Sequence, residues 1–223
     1  MAWGRHRRPG RVLDVATGAG HTAVAFASVA REVVAVDVTE PMLRVARDFG
    51  RSRGALNLRF VAGDVELLPF GEAAFDVVTC RIAPHHFASL AKAVREAARV
   101  LRPGGSFLVQ DILGHDDADA ARFITEVEQR RDPSHVRAYR AAEWKAFLRA
   151  AGLTIIDDAV MSKVRRWDDW VTRARMNPDA RRSLEAFVRQ AAPSSRDAFE
   201  FKISDAAIES FTDRMILLRA DKD

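Results

Sequence analysis

The chain contains little cysteine: Cys80 is the single one among 223 residues, which excludes an internal disulfide and fits a reducing compartment. Long apolar runs are also missing, since none approaches the ~18 residues that a membrane-spanning helix needs. The basic segment from Met1 to Arg11 lacks the apolar stretch of a secretory signal. We therefore expect a cytoplasmic protein that forms one domain over residues 1–223, with a substantial core and no membrane span.

Lysine is scarce as well. Arginine supplies most of the 35 basic residues, which together with 31 acidic ones leave a net charge of +4. A basic surface can bind an anionic partner such as nucleic acid. The arginines here are scattered among acids, as in residues 122–131, and no basic stripe interleaved with aromatic residues is present. This distribution favours solvated helix faces and disfavours a nucleic-acid partner.

The stretch from Arg11 to Leu43 carries the strongest functional pattern. An apolar strand runs into a loop that contains Gly18 and Gly20, and a second apolar strand ends on Asp37. Glycines let the backbone approach a ligand closely, and an acid at the tip of the next strand is placed to hydrogen-bond a ribose diol. The pattern predicts a nucleoside-cofactor site at the start of a parallel α/β sheet.

Two classes of cofactor compete for this site. Residues 18–23 fit the dinucleotide pattern G-x-G-x-x-G/A, which indicates a nicotinamide-dependent oxidoreductase. Asp14 disfavours that class, because dinucleotide folds keep an apolar residue there and a carboxylate would repel a pyrophosphate. The run from Asp14 to Gly20 instead resembles the first motif of class I S-adenosylmethionine (SAM)-dependent methyltransferases. In that family the acid serves the ammonium group of the methionine end.

Three further segments extend the resemblance in the family's order, at residues 63–70, 75–80 and 101–109. Together they resemble the ubiquinone/menaquinone-biosynthesis-like branch of small-molecule methyltransferases. The resemblance implies a Rossmann-like α/β fold with a seven-stranded, mostly parallel sheet, an antiparallel last strand and helices on both faces. It also implies one or two helices before the first strand, which here begins about eleven residues in. We therefore expect either a chain that is truncated or started late, or a more open pocket.

Carried over position by position, the resemblance implies a binding site for SAM. The implied cofactor-binding residues are Asp14, Ala16, Gly18, Gly20, Asp37, Val38, Met42, Asp64, Val65 and Arg81. In this assignment Asp14 orients the methionine ammonium and Asp37 holds the ribose. Val38 and Met42 flank the adenine, and Asp64 accepts a hydrogen bond from its amino group.

Two histidines follow the fourth predicted strand, in a loop that faces the transferred methyl group in this fold. His85 or His86 could act as a catalytic base, because histidine titrates near neutral pH, or could instead bind the cofactor or pack. The loop lacks the Asn/Asp-Pro-Pro-aromatic signature of enzymes that methylate exocyclic or side-chain amide nitrogens. The six histidines of the chain show no metal-ligand spacing, so we predict no metal.

Two segments do not belong to the basic sheet, residues 114–140 and residues 166–200. Ligands in open α/β sheets bind outside the carboxyl ends of the strands, and long inserts there commonly form lids. We expect both inserts to cover the acceptor, with sheet-edge packing or a homodimer contact as the alternatives. Their aromatic residues suggest an apolar acceptor or, equally, a core: Phe123, Tyr139, Trp167 and Trp170.

Local patterns also predict individual elements. Thr39 and Ser89 are expected to cap helices, and Pro103-Gly104-Gly105 is expected to form a turn into the fifth strand. Later strands are predicted over residues 153–156 and 214–220. The function that we expect is in-line transfer of a methyl group from SAM to a small-molecule acceptor. A non-catalytic SAM-binding protein and the nicotinamide-dependent oxidoreductase stay open as alternatives.

Overall fold

The computed structural model describes residues 9–223, so most of the basic segment from Met1 to Arg11 lies outside the described residues. One mixed sheet with helices around it accounts for these residues. The strands are β1 (Arg11–Val15), β2 (Glu32–Asp37), β3 (Leu58–Ala62), β4 (Phe75–Arg81), β5 (Leu101–Ile112), β6 (Leu153–Arg166), β7 (Lys202–Ile203) and β8 (Ile208–Lys222). The helices are α1 (His21–Ala27), α2 (Glu40–Ser52), α3 (Leu90–Val100), α4 (Ala118–Arg131), α5 (Ala141–Ala150), α6 (Trp167–Arg173), α7 (Pro178–Gln190) and α8 (Pro193–Asp197).

The strand order is β3-β2-β1-β4-β5-β8-β6, and the two-residue β7 pairs with β8. β1 to β5 are parallel, whereas β8 runs antiparallel between β5 and β6. The predicted seven-stranded sheet with an antiparallel last strand is therefore confirmed, and β7 is an addition to it. Apolar side chains bury the central strands on both faces, as at Leu13 and Val34, which is typical of parallel sheets.

The chain leaves β1 toward β2 on one side, and β4 returns on the other side of β1. This reversal is the point at which open α/β sheets bind ligands, outside the carboxyl ends of the strands. Asp14 lies next to the last residue of β1, Asp37 is the last residue of β2, and Asp111 lies near the end of β5. The fold therefore gathers carboxylates at one edge of the sheet.

β6 and β8 form a ribbon that continues past the end of β5. Ile112 of β5 pairs with Met215, which also pairs with Met161, and β6 then runs on to Arg166. The predicted strand over residues 153–156 is therefore too short. The strand predicted over 214–220 is likewise longer in the structure. Because the extension lies beyond the carboxyl end of β5, it holds the following helices above that edge of the sheet.

The two predicted inserts pack against each other through four helices, α4, α6, α7 and α8, which we call the helical unit. Phe123 of α4, Trp167 of α6 and Leu184 of α7 are buried in a hydrophobic cluster that also includes Phe211 of β8. Tyr139 is buried in the main core instead. The four insert aromatics thus lie in cores, as one of the two alternatives predicted, and they give no support to an apolar acceptor.

Of three local features predicted from the sequence, one agrees with the structure and two differ from it. Ser89 caps α3 as predicted, since its side chain accepts from the Lys92 N–H. Thr39 precedes α2, but its hydroxyl donates to Asp37 at 2.7 Å and caps no helix N–H. The Pro-Gly-Gly sequence forms an irregularity inside β5, where the register to β4 shifts, so it is a bulge and no separate turn. Within residues 9–223, no helix is long and apolar enough to cross a membrane.

Candidate active site

The glycine loop between β1 and α1 has a backbone that few other residues could adopt. Gly18 and Gly20 have φ values of 54° and 82°, in the left-handed region that favours glycine. A Cβ at Gly20 would lie 3.0 Å from the Cβ of Ala46 on α2, so the loop also needs a small residue for close packing. Ala16, a predicted cofactor residue, has a φ of 51°, which is strained for a residue with a side chain.

Asp37 fastens this loop to the end of β2. Its Oδ2 atom accepts from the Gly18 N–H at 2.9 Å, and its Oδ1 atom accepts from the Thr39 N–H and hydroxyl at 2.9 and 2.7 Å. An ionised carboxylate offers about four acceptor sites. The three protein donors therefore leave capacity for about one more donor, such as a ligand hydroxyl.

Asp14 is a buried carboxyl group beneath the glycine loop. The Thr17 hydroxyl donates to its Oδ2 atom at 2.6 Å. Burial raises the pKa of Asp14 to about 7, although the Thr17 hydrogen bond and the charge of Arg81 act in the opposite direction. Near neutral pH the group is consequently poised between its two forms, and a neighbouring cation would favour the ionised one.

The remaining predicted cofactor residues lie near the carboxyl ends of the same strands. Arg81, at the end of β4, donates from Nε to the Thr22 hydroxyl of α1 at 3.0 Å. Val38 is 73% exposed, and Met42 lies half-buried with its methyl group next to Gly18. Apolar side chains that keep part of their surface exposed suit contact with the face of a planar ligand.

Asp64 and Val65 follow β3, whose last residue pairs with Asp37. Asp64 is exposed, and its Oδ1 atom accepts from the Glu66 N–H at 2.8 Å, which fixes the turn. Val65 is half-buried. Three acceptors thus lie near the ends of three neighbouring strands: Asp14 next to the last residue of β1, Asp37 at the end of β2 and Asp64 just after β3. The ammonium, ribose hydroxyls and adenine amino group of SAM are all donors, so the residues fit that molecule.

Three histidine rings meet near the carboxyl ends of β4 and β5. We call His85, His86 and His135 the histidine cluster. His85 Nδ1 lies 2.7 Å from Oδ1 of the fully buried Asp111. The His86 and His135 ring centroids lie 4.1 and 5.2 Å from that of His85. Sequence reasoning named His85 and His86 but missed Asp111 and His135. Asp111 could have been noticed in the sequence, because it is an acidic residue within the otherwise largely apolar strand of residues 107–113.

The three histidines of the cluster differ in their pKa values. Burial lowers the pKa of His85, but the hydrogen bond and charge of Asp111, helped by Glu128 and Asp132, outweigh it and raise the pKa overall. Burial and the charge of His85 lower the pKa of His86. The same causes, together with His86, lower the pKa of His135 to about 4. His85 is therefore the member of the cluster that binds a proton most readily.

Two further buried acids are Glu128 of α4, whose charge acts on His85, and Asp213 of β8, whose charge acts on Glu128. Burial and the charge of Asp213 raise the pKa of Glu128 to about 7. Arg131 lies 3.6 Å from Glu128, and Arg165 donates to Asp213 at 2.5 Å. Among residues 9–223, no group of three or more histidines, cysteines and acids is arranged to hold a metal ion.

Comparisons with known proteins agree with this geometry. A family model described as a methyltransferase domain matches residues 13–109. The uncharacterized methyltransferase YcgJ of Bacillus subtilis is 39% identical over 189 residues, which cover 85% of this chain and 75% of that protein. The crystal structure of YcgJ superimposes with a TM-score of 0.93 at 36% identity, over 98% of this chain and 94% of that one.

A shorter match is to a demethylmenaquinone methyltransferase of Thermus thermophilus. It is 43% identical over 105 residues, which cover 46% of this chain and 47% of that protein. The fold and the site define a Rossmann-like methyltransferase. The chain belongs to the SAM-dependent methyltransferase family, and the nicotinamide-dependent alternative is therefore wrong.

Proposed function

We propose that the chain transfers a methyl group from SAM to a small-molecule acceptor, held between the carboxyl edge of the sheet and the helical unit. The observation that carries this proposal is the placement of Asp14, Asp37 and Asp64 at the ends of three neighbouring strands around the glycine loop. When bound, SAM supplies an electrophilic methyl group whose bond to sulfur breaks, with its electron pair staying on sulfur, as the acceptor forms its bond to carbon.

The residues of the chain have separate tasks in this proposal. Asp14 binds the methionine ammonium, and Asp37 uses its remaining acceptor capacity for the ribose. Asp64 accepts from the adenine amino group, while Val38 and Met42 contact the adenine faces. Gly18 and Gly20 keep side chains away from the ligand. The protein mainly aligns the reactants, at a separation of about 3–3.5 Å, and excludes water.

The helical unit is the cover of the acceptor in this proposal. The ribbon of β6 and β8 extends past the carboxyl end of β5, and the two inserts share one hydrophobic cluster. A packed unit at that position can exclude water from the reacting groups. The match to the Thermus relative covers less than half of either chain, so its acceptor is not carried over. A homodimer contact through the inserts stays the alternative.

The decisive experiment is a calorimetric titration followed by a turnover assay. We expect SAM and S-adenosylhomocysteine to bind, and NAD and NADP not to bind. A folded protein that binds neither sulfur compound would contradict the proposal. An acceptor screen that measures production of S-adenosylhomocysteine then separates an active enzyme from a SAM-binding protein without turnover. Cytoplasmic location stays a prediction from the cysteine content.

A further inference from the structure

The loop after β4 places two adjacent histidines in unequal environments. His85 is 5% exposed, and its Nδ1 atom is held by Asp111 at 2.7 Å. Its Nε2 atom makes no hydrogen bond to the part of the chain that the structure describes. His86 is more exposed, and its Nδ1 atom lies 3.1 Å from the Ser134 hydroxyl. One ring is therefore fixed by a buried carboxylate, and the other is fixed by a surface hydroxyl.

Asp111 has more acceptor capacity than the protein uses. It is fully buried, and its Oδ2 atom has no hydrogen-bond partner among the described residues. A buried carboxylate oxygen without a partner destabilises a fold, so packing alone does not account for Asp111. The contact that Asp111 does make fixes the orientation of the His85 ring and directs the proton of the neutral ring to Nδ1.

The His85–Asp111 pair lies beside the proposed cofactor site. Arg81 of β4 pairs with Gln110, the residue before Asp111. Burial raises the pKa of the Cys80 thiol, and the carboxylates of Asp111 and Asp14 raise it further. The Cys80 thiol of β4 thus interacts with both Asp111 and Asp14. The His85–Asp111 pair and Asp14 therefore lie on either side of the end of β4.

We propose that His85 is the general base for the acceptor and that Asp111 is its positioning residue. The acceptor then belongs to a chemical class whose nucleophile is an oxygen that must lose a proton, namely a hydroxyl or a phenol. This inference rests on the proposed methyl transfer and names its substrate class.

The proton balance of the step is simple. The lone pair on His85 Nε2 takes the proton, and the electron pair of the broken bond stays on the acceptor for attack on the methyl carbon. His85 becomes an imidazolium whose charge Asp111 stabilises, and it returns its proton to solvent after turnover. The two rings beside His85 are poorer bases, because burial lowers the pKa of His86 and, to about 4, that of His135.

The groups that face His85 predict the pH dependence of the reaction. Asp111 on β5, Glu128 on α4 and Asp132 after α4 raise the pKa of His85, in opposition to its burial. The rings of His86 and His135 also lie against His85. A base must be neutral to act, so kcat should fall as pH drops through a pKa above the ordinary histidine value of about 6.5.

The test compares His85→Gln and Asp111→Asn with the matched variant His86→Gln. 1-Naphthol is the reference acceptor within a panel of phenols, alcohols and amines. We expect His85→Gln to lower kcat by about 10²–10⁴-fold while KM and S-adenosylhomocysteine affinity stay near wild type. Asp111→Asn should shift the acidic limb of the pH profile to lower pH. A loss of kcat in His86→Gln equal to that in His85→Gln, or turnover confined to amines, overturns the inference.

A second readout does not need turnover. 4-Nitrophenol absorbs visible light only as the phenolate, so its spectrum in the presence of protein and S-adenosylhomocysteine reports deprotonation by the site. We expect a phenolate band below the pH at which free 4-nitrophenol ionises, lost in His85→Gln and kept in His86→Gln. Absence of that band in the wild type overturns the base assignment. Failure to bind S-adenosylhomocysteine contradicts the proposed function instead, which keeps the two outcomes distinct.

Discussion

Asp14 shows how a single buried residue can make ligand binding depend on pH. Its pKa is raised to about 7, first of all by burial, so the carboxyl is mostly protonated at pH 6 and mostly ionised at pH 8. An ammonium group binds the ionised form. We therefore expect S-adenosylhomocysteine affinity to rise about tenfold from pH 6 to pH 8, in proportion to the ionised fraction.

Calorimetry at the two pH values measures this change directly. Asp14→Asn has nearly the same volume but no titratable carboxyl, so it should bind weakly with little pH dependence over that range. A wild-type affinity that is the same at pH 6 and pH 8 would show that Asp14 does not bind the ammonium group.

Asp37 is the second residue whose role can be isolated. Asp37→Ala removes the acceptor for the Gly18 N–H and, in our proposal, the acceptor for the ribose. A hydrogen bond to a charged group contributes about 1.5–3 kcal/mol, so affinity for SAM should fall by roughly 10- to 100-fold. Thr39→Val is the matched control, because it removes one donor to the same carboxylate and leaves the Gly18 contact in place.

Calorimetry measures the SAM affinity of both variants, and circular dichroism shows whether each of them is folded. Equal losses of affinity in both, or an unchanged affinity in folded Asp37→Ala, would refute the ribose assignment.

The residues of the cofactor site were predictable because the pattern that carries them is local. Gly18, Gly20 and Asp37 lie within one strand–loop–helix–strand unit of the sequence. Asp111 and His135 were not predictable in this way, since they meet His85 only when residues 26 and 50 positions away fold against it. Pairings over such distances depend on strand order and helix placement.

At the scale of elements, α4 carries a charged residue that the fold buries. Burial raises the pKa of Glu128 from 4.5 to about 7, so the folded state holds a proton that the unfolded state releases. The stabilising effect is full below about pH 4.5 and is lost as pH rises through about 7. Glu128→Gln removes this titration.

We expect the free energy of unfolding of Glu128→Gln, relative to wild type, to increase between pH 5 and pH 8. Urea unfolding of both proteins at the two pH values measures the difference, and a comparison between variant and wild type cancels the opposing titration of His135. A relative stability that does not change with pH, or that decreases, would show that Glu128 is not buried in its charged form at high pH.

Strand β6 shows why some elements were mispredicted. Only its first residues were recognised, because most of β6 is exposed and lacks the alternation of a half-buried strand. Asp157 and Asp158 interrupt its apolar residues. The strand exists because β8 supplies hydrogen bonds along its whole length, from Leu153 to Arg166. Such tertiary pairing is not encoded in the local pattern of β6.

The proposed cover can be tested with a matched pair of core substitutions. Leu184 is fully buried in the helical unit, and Leu148 is fully buried in the main core. Each Leu→Ala change should cost about 2–5 kcal/mol of stability through the cavity that it leaves. We expect Leu184→Ala to raise the acceptor KM with unchanged S-adenosylhomocysteine affinity, and Leu148→Ala not to do so. Equal acceptor KM values in both folded variants would contradict the cover.

At the scale of the whole molecule, the sheet and the helical unit share two long strands. β6 and β8 pair along their lengths, from the main core at Leu153 to the helical unit at Arg166. Loss of the sheet should therefore unfold the helical unit as well. A ligand that binds at the glycine loop should stabilise both, because its free energy of binding is shared by everything that unfolds together.

Tryptophan fluorescence can follow the two parts separately. Trp144 reports the main core, whereas Trp167 and Trp170 report the helical unit. With Trp3 replaced by Phe throughout, one protein keeps Trp144 alone and another keeps the Trp167–Trp170 pair. At 100 times its Kd, S-adenosylhomocysteine should add about 2.7 kcal/mol and raise both midpoints equally, by roughly 5–11 °C. A midpoint that rises only for Trp144 would mean that the helical unit unfolds on its own, which would favour a separately moving cover over a rigid extension of the sheet.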